Sequence, residues 1–289
     1  MPQPLLIADV PWLLYRAFFA LPRSIEDGAG HPVNALLGTV NALLSAAQAR
    51  PPRAVAACLG AEQATYRVEL YPPYHAHRDP MPAELAWQWQ RAPELLANLG
   101  WAVDGSAELE ADDVMFSHAR QETAAGGRAL LLTGDRDLFQ AVGPDVAILE
   151  LARDGTATEV GPEQVRERYG IGPELVPDFI ALRGDPSDGL PGAPGIGAKT
   201  ARELLLRHGS LEGALEAVRG APASCGERPR VVAALSENAE HLLAFKRIAT
   251  LVELDVPRPP DRTTDYAGGA AAAGALGMNR LAERLRQLA

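Results

Sequence analysis

The chain has 289 residues, enough for one large domain or two modest ones, each with its own core. Its 47% hydrophobic and 22% charged content are those of an ordinary globular chain. Two cysteines, Cys58 and Cys225, are too few and too far apart for a disulfide framework or a zinc site. No apolar run approaches the ~18 residues of a membrane span. The opening "MPQPLLIADVPWLLYR" has no basic start, and Asp9 interrupts its apolar run, so no signal peptide is expected and a cytoplasmic location is.

The net charge of −10 would argue against a nucleic-acid partner if it were evenly spread. It is not. Residues 104–188 hold 18 Asp and Glu against 7 Arg and no Lys, and the rest of the chain is close to neutral. Packed like charges repel unless a cation neutralises them, so this acidic centre points to clustered carboxylates with a task.

In chain order, "PLLIAD" (4–9) reads as a strand, 34–50 as a helix, "AVAACL" (54–59) as a strand and 83–100 as a helix. Then come "WAVDG" (101–105) as a strand, 111–127 as a helix, and "RALLLT" (128–133) and "DVAILE" (145–150) as strands. Strands separated by helices of this length predict an α/β fold with a doubly wound, mainly parallel sheet. From about residue 162 the strand signals stop, and helices are expected over 173–184, 198–208, 210–219 and 229–249. The segment 256–277 reads as linker before a basic last helix, "NRLAERLRQLA".

In open α/β sheets a ligand binds beyond the carboxyl ends of the strands. Asp9 closes the first strand, and Asp135 and Asp137 follow the fourth in "LLLTGDRDLFQ". Glu110, Asp112 and Asp113 in "ELEADDV" lie at a loop-to-helix junction, and Asp185 and Asp188 stand in "RGDPSDG". Each group alone could be helix capping or turn chemistry. Together, eight carboxylates at strand ends and helix starts make an oxygen-only site suited to Mg²⁺ or Mn²⁺. Two such ions about 4 Å apart would serve phosphodiester hydrolysis.

The stretch "GDPSDGLPGAPGIGAKTAREL" (184–204) is not a P-loop, because Ala198 separates Gly197 from Lys199 and no strand leads into it. It reads as a helix-hairpin-helix. Gly192, Gly195 and Gly197 allow a sharp turn and close approach, and the amides opening the next helix, with Lys199 and Thr200, would meet a phosphate without reading bases.

Four segments in register resemble the 5′-nuclease family, which comprises the 5′→3′ exonuclease domain of bacterial DNA polymerase I, its stand-alone relatives and the flap endonucleases. "IADVPWLLYRAFFALP" resembles that family's "VDG…YRAFHA", and "ELEADDV" its "EADD". "LLLTGDRDLFQAV" resembles "TxDKDLxQL", and "RGDPSDGLPGAPGIGAKTA" resembles "GDxSDNxPGxxGIGxKTA". The likeness spans roughly residues 4–250.

The resemblance implies a nuclease core over 1–160 with a short arch region at about 72–95, then a helical region over 161–289 whose hairpin, at about 173–209, supplies Asp185 and Asp188. It implies two or three Mg²⁺ or Mn²⁺ ions on the eight carboxylates, a K⁺ ion at the hairpin, and branched or flapped duplex DNA as substrate. It also implies a monomer, with a DNA polymerase as a possible partner in trans. Tyr15, Arg16, Arg67 and Arg78 align with family positions that bind phosphates or stack near the 5′ end, and Arg78 is also a catalytic candidate.

Two departures stand out. Where the family's second strand ends in an aspartate, this chain has Gly60, and where the family carries a phosphate-contacting lysine, "YHAHR" has His75. With 25 Arg against 2 Lys, histidine is not the chain's routine cation. His75 is therefore kept as a catalytic candidate, with a catalytically weakened branched-DNA binder as the alternative function. Gly189 in place of the family asparagine reads as minor. Trp87 and Trp89 do not share a helix face, so at least one is expected in the core.

Overall fold

The computed structural model describes residues 3–152, 156–222 and 224–289. The first part runs β1 (Leu5–Asp9), α1 (Val10–Ala20), α2 (Asn34–Ala49), β2 (Ala54–Leu59), α3 (Thr65–Leu70), α4 (Ala83–Trp89), α5 (Ala92–Asn98) and β3 (Ala102–Gly105). It continues with α6 (Ala111–Ala124), β4 (Ala129–Leu132), β5 (Val146–Leu151), β6 (Ala157–Val160) and α7 (Pro162–Tyr169). The rest is helical: α8 (Val176–Arg183), α9 (Ala198–His208), α10 (Leu211–Gly220), α11 (Pro229–Glu237), α12 (Ala239–Ala249), α13 (Tyr266–Ala275) and α14 (Asn279–Leu288).

The six-stranded sheet has the order β3-β2-β1-β4-β5-β6, parallel except for β6, which pairs antiparallel with β5. Its strands are nearly continuous apolar runs because helices cover both faces. In β1, Leu5 and Ile7 point into one core cluster, while Leu6 and Ala8 point into the other. The first cluster continues through α6 into α8, α9, α10, α11 and α12, so the helical region and the sheet share one core. The chain passes β1 on one side to β2 and on the other to β4, which makes their carboxyl ends the switch point of the sheet.

The expected strands are all present, and β6 is an addition. "ATEV" is too short to stand out, and pairing with β5 makes it a strand. The expected helix 83–100 breaks at Gln90–Arg91, and 229–249 breaks at Asn238. The segment read as linker folds into α13, which Asp265 caps through the amide of Gly268. Its small residues let it lie against α5: a Cβ on Gly269 would sit 2.3 Å from Leu99 Cδ2. Helices α13 and α14 therefore join the second cluster, on the far side of the sheet from the hairpin. Among the described residues no helix is long and apolar enough to cross a membrane. Both cysteines are free thiols.

Both tryptophans of α4 are partly buried against the second core cluster, and neither is fully enclosed. Trp87 stacks on His31 and has the Arg91 guanidinium 3.7 Å over its ring, and Trp89 meets Tyr15 edge-on. The residue between them is the buried one. Gln88 Oε1 accepts from the amides of Ala35 and Leu36 at 2.7 and 3.2 Å, satisfying the start of α2 and docking α4 onto it. Gln88→Leu should strand those two amides in a dry contact and cost about 1–3 kcal/mol, a drop of several degrees in a thermal melt. An unchanged melting temperature would mean water replaces the amide.

Candidate active site

The site grows from the switch point. Asp9 ends β1 and caps α1, its Oδ1 accepting the Trp12 amide at 2.9 Å. Its Oδ2 accepts the Thr133 hydroxyl at 2.7 Å, just past β4. Thr133 Oγ1 in turn accepts the Asp135 amide at 3.0 Å, and Asp135 Oδ1 accepts the Asp137 amide at 2.9 Å. Thr133 thus ties the two strand-end loops together. Sequence reading passed over it, although a hydroxyl two residues before an aspartate is a recognisable turn signal.

At the start of α6 the three acidic residues divide. Glu110 and Asp113 form a capping box, with the Glu110 amide donating to Asp113 Oδ2 at 3.3 Å. Arg67 pairs with both, at 2.8 Å to Glu110 and 3.0 Å to Asp113, and also donates to the carbonyl of Ile248. Asp113 is fully buried and further accepts the Val252 amide at 2.8 Å. Glu110 also receives the Ala64 amide and the Tyr74 hydroxyl.

Two expectations change here. Arg67, only 3% exposed, is an internal strut and not a DNA contact. Asp113 is wholly buried and ion-paired with Arg67, so in this structure it serves the frame of the site. Glu110 stands at the margin of the site. Asp112 has no hydrogen-bond or ion-pair partner among the described residues and is the free carboxylate of its motif.

The third group sits in the loop after α8. The Asp185 and Leu190 backbones exchange two 2.8 Å hydrogen bonds that close the loop, and Ser187 donates to Asp185 Oδ1 through its amide at 2.8 Å and through its hydroxyl. Asp188 Oδ1 faces His75 Nε2 at 3.1 Å and accepts Arg78 at 3.0 Å. His75 is 2% exposed, holds a left-handed φ of 56°, and stacks on Tyr74 with ring centres 3.8 Å apart. Its amide also donates to the Asp188 carbonyl. His75 therefore braces Asp188 from within and does not reach outward as a phosphate contact, which corrects its reading as a catalytic cation. Gly189, with φ of 76°, lets this loop close on its neighbour: a Cβ there would lie 3.1 Å from the Pro73 carbonyl.

Burial and mutual repulsion set the charge state of this cluster. Burial pushes the Asp9 carboxyl up to about 6, against the lowering effect of its donors Trp12 and Thr133 and with added repulsion from Asp135. Burial raises Asp112 well above the carboxylate range, with repulsion from Asp135, Asp9 and Glu110 behind it. Asp137 is raised well above that range by burial and then by Asp135, Asp188 and Asp185. Asp135 is raised by burial, with Asp188 and Asp185 adding to it. Asp9, Asp112, Asp135 and Asp137 thus oppose one another's ionisation, with Asp185 and Asp188 adding to the repulsion they meet.

Among the described residues no three acidic, histidine or cysteine side chains form a ready-made ligand set. The fit to a metal rests on the donors: desolvated oxygens with Asp112 uncommitted, whose repulsion divalent cations would relieve.

The hairpin loop is shaped by close approach on one side and open space on the other. A Cβ on Gly192, whose φ is 67°, would lie 2.4 Å from the Gly184 amide nitrogen, so the chain can cross itself only with glycine there. Ile196 is buried and pins the loop. Gly195 and Gly197 have nothing within 4 Å of a notional Cβ, and Gly197 opens α9 without a side-chain cap. Lys199 is exposed and Thr200 half-buried at that helix start. Elsewhere, Arg16 is exposed over the Trp12 ring at 5.2 Å. Tyr15 stacks on Phe19 and is half-buried, its phenol raised by burial and by Glu62 and lowered by Arg78.

Residues 4–170 match the family description "5′-3′ exonuclease, N-terminal resolvase-like domain", and residues 171–265 match "5′-3′ exonuclease, C-terminal SAM fold". The chain belongs to the 5′–3′ exonuclease family. It is 36% identical over 287 residues to a 5′-3′ exonuclease of Mycobacterium tuberculosis, covering 91% of this chain and 89% of that protein. It is 38% identical over 264 residues to DNA polymerase I of Mycobacterium leprae, covering 90% of this chain but 28% of that enzyme. The chain therefore spans about 28% of the length of that polymerase. Its fold matches, with a TM-score of 0.69 at 18% identity over 99% of this chain and 98% of the other, the bacteriophage T5 D15 flap endonuclease in a pseudo-enzyme-product complex with DNA and metal ions.

Gly60, which replaces the family aspartate, has a steric explanation. A Cβ there would sit 2.3 Å from the Ala111 amide nitrogen and 2.4 Å from the Glu110 carbonyl carbon. Gly60→Asp should therefore displace the start of α6, lower stability by about 1–3 kcal/mol and leave cleavage no faster. A faster flap-cleaving variant with unchanged melting temperature would show that helix to be more yielding than its packing implies.

A carboxyl whose folded pKa exceeds its unfolded value holds its proton more tightly when folded. Its ionisation then costs stability as pH rises, for Asp9 between 3.8 and about 6. Asp112→Asn should accordingly raise the melting temperature of the metal-free protein at pH 8, by about 2–4 °C for each kcal/mol relieved. The gain should shrink on acidification, where the wild-type carboxyl is itself neutral. A gain independent of pH would place its cause outside this charge.

Proposed function

We propose that the chain is a divalent-metal-dependent 5′ nuclease that hydrolyses phosphodiester bonds at 5′ ends or flaps of branched duplex DNA. The observation that carries this reading is the convergence of carboxylates from four segments, Asp9, Asp112, Asp135 and Asp137, all raised by burial and repulsion, with Asp185 and Asp188 adding to that repulsion. These would hold Mg²⁺ or Mn²⁺, with Glu110 beside them. When bound, such ions supply activation of an attacking water and stabilisation of charge on the leaving oxygen.

The chain's own residues do the rest. Arg78, exposed beside Asp188, brings a cation to the mouth of the site, where a phosphate would otherwise meet only acid. Tyr15 and Arg16 offer a ring face and a charge on α1 near the same mouth. The open amides at Gly197–Thr200, with Lys199, grip the duplex backbone, and no base-reading element is needed for a substrate chosen by its shape. The loop around Gly192 and Gly195 would hold a K⁺ ion, which would supply positive charge for a backbone phosphate. Cytoplasmic action as a monomer, with a DNA polymerase supplying branched substrate in trans, completes the reading. The relatives in which the matching segment is joined to a polymerase support it.

Asp112→Asn or Asp135→Asn should slow single-turnover cleavage of a 5′-labelled flap by about 10³-fold or more at saturating Mn²⁺, with the circular dichroism spectrum preserved. Wild-type rates in either variant would dismiss the carboxylate site. Gly197→Val is the matching test of the hairpin. Gly197 has a φ of −91° and empty space around it, so valine is tolerated by the fold while obstructing an approaching backbone. Affinity for duplexes of every sequence should fall by a similar factor; undiminished binding would make the hairpin purely structural.

A further inference from the structure

Beside the hairpin lies a cleft of about 380 Å³ between the end of α7, the end of α8 and the start of α9. Its seven lining residues include Arg168, Arg183, Lys199 and Arg202 and no acid, in a chain whose net charge is −10. The floor is aromatic: Tyr169 meets Phe179 edge-on at 5.5 Å, and Arg183 lies over the Phe179 ring at 5.3 Å.

The cations differ in how they are neutralised. Arg168 is held by both oxygens of Glu150, at 2.6 and 2.9 Å, and lies 5.7 Å over the Phe139 ring. Arg183 donates to the Gly184 carbonyl at 3.0 Å and stands 3.6 Å from Asp185. Lys199 is 80% exposed along its side chain, with Glu203 a distant 3.9 Å away. Arg202 has no acidic partner among the described residues, and its stem packs against Gly170: a Cβ on that glycine would sit 2.3 Å from Arg202 Cδ. A half-buried arginine without a counterion, lining a cleft with three more cations, is arranged for an anion from outside.

We infer that this cleft is a second backbone-phosphate subsite, made of side chains where the hairpin loop offers amides. It takes a phosphate of the same duplex, and it rests on the DNA-nuclease reading above. Ala198 and Lys199 belong both to the start of α9 and to the cleft lining, so a strand resting on the helix start continues into it. Arg183 connects the cleft to Asp185 at the carboxylates. The duplex is then anchored at two points beside the site, which sets the register between the gripped backbone and the carboxylates.

The test is fluorescence anisotropy of a labelled flapped duplex against the full chain in EDTA, over a salt series. Arg202→Gln and Arg168→Gln should each raise Kd about five- to tenfold. Each should also make the slope of log affinity against log salt shallower by about 0.9, as expected for one lost phosphate contact. Arg202→Lys should recover most of the affinity, which a packing role for Arg202 would not provide. Glutamine variants that bind as tightly as wild type with the same slope overturn the subsite, and if wild type still cleaves the flap, the nuclease reading stands without it. A wild type that neither binds nor cleaves flapped DNA overturns both.

Discussion

Like charge concentrated at one point of a sheet is the condition that the rest of this molecule accommodates. Asp9, Asp112, Asp135 and Asp137 meet at the carboxyl ends of β1 and β4 and at the start of α6, close enough to raise one another's pKa. Such a site survives folding only if its frame is rigid and separately neutralised. Arg67 does this beneath α6, absorbing Glu110 and Asp113 into a buried network that also reaches the Ile248 carbonyl and so joins α3 to α12. Backbone amides do it elsewhere: Trp12 for Asp9, Asp137 for Asp135 and Ser187 for Asp185. The uncompensated repulsion is left where a cation would use it. This is the usual opposition between stability and activity at a working site.

Much of this was legible in the chain. Strands buried on both faces are continuous apolar runs, so "LLIAD", "AVAACL" and "ALLL" announced themselves, and with them the strand ends where Asp9 and Asp135 stand. What sequence could not give was the partner of each charge. Arg67 looks like any surface arginine until α3 is packed against α6 and α12. Asp113 looks equivalent to Asp112, yet their directions from the first turn of α6 send one to Arg67 and leave the other in the site. Periodicity also failed at α13, where alanine and glycine carry little pattern and close packing on Leu99 makes the helix.

The two departures from the family pattern show why a residue-by-residue carry-over needs a structure. Gly60 reads as a missing carboxylate, but the backbone of Glu110 and Ala111 fills the space where one would begin. His75 reads as a weakened cation in place of lysine. In the fold it is a buried bracket that reaches across from the loop after α3 to hold the carbonyl and one carboxylate oxygen of Asp188.

That bracket also bears on how the two parts of the chain make one site. Asp185 and Asp188 come from the loop after α8, and nothing in their own sequence fixes where that loop meets the strand ends. The contact is set by the 73–78 segment, through His75 and Arg78 on Asp188 and through Pro73 against Gly189. One shared core runs from β1 through α6 to α8 and α12. The third group of carboxylates is therefore positioned by side chains of the first part of the chain, and the acidic site and the hairpin region share one core. For a substrate held by its backbone, as proposed above, that shared frame would turn a grip on phosphates into a defined place to cut.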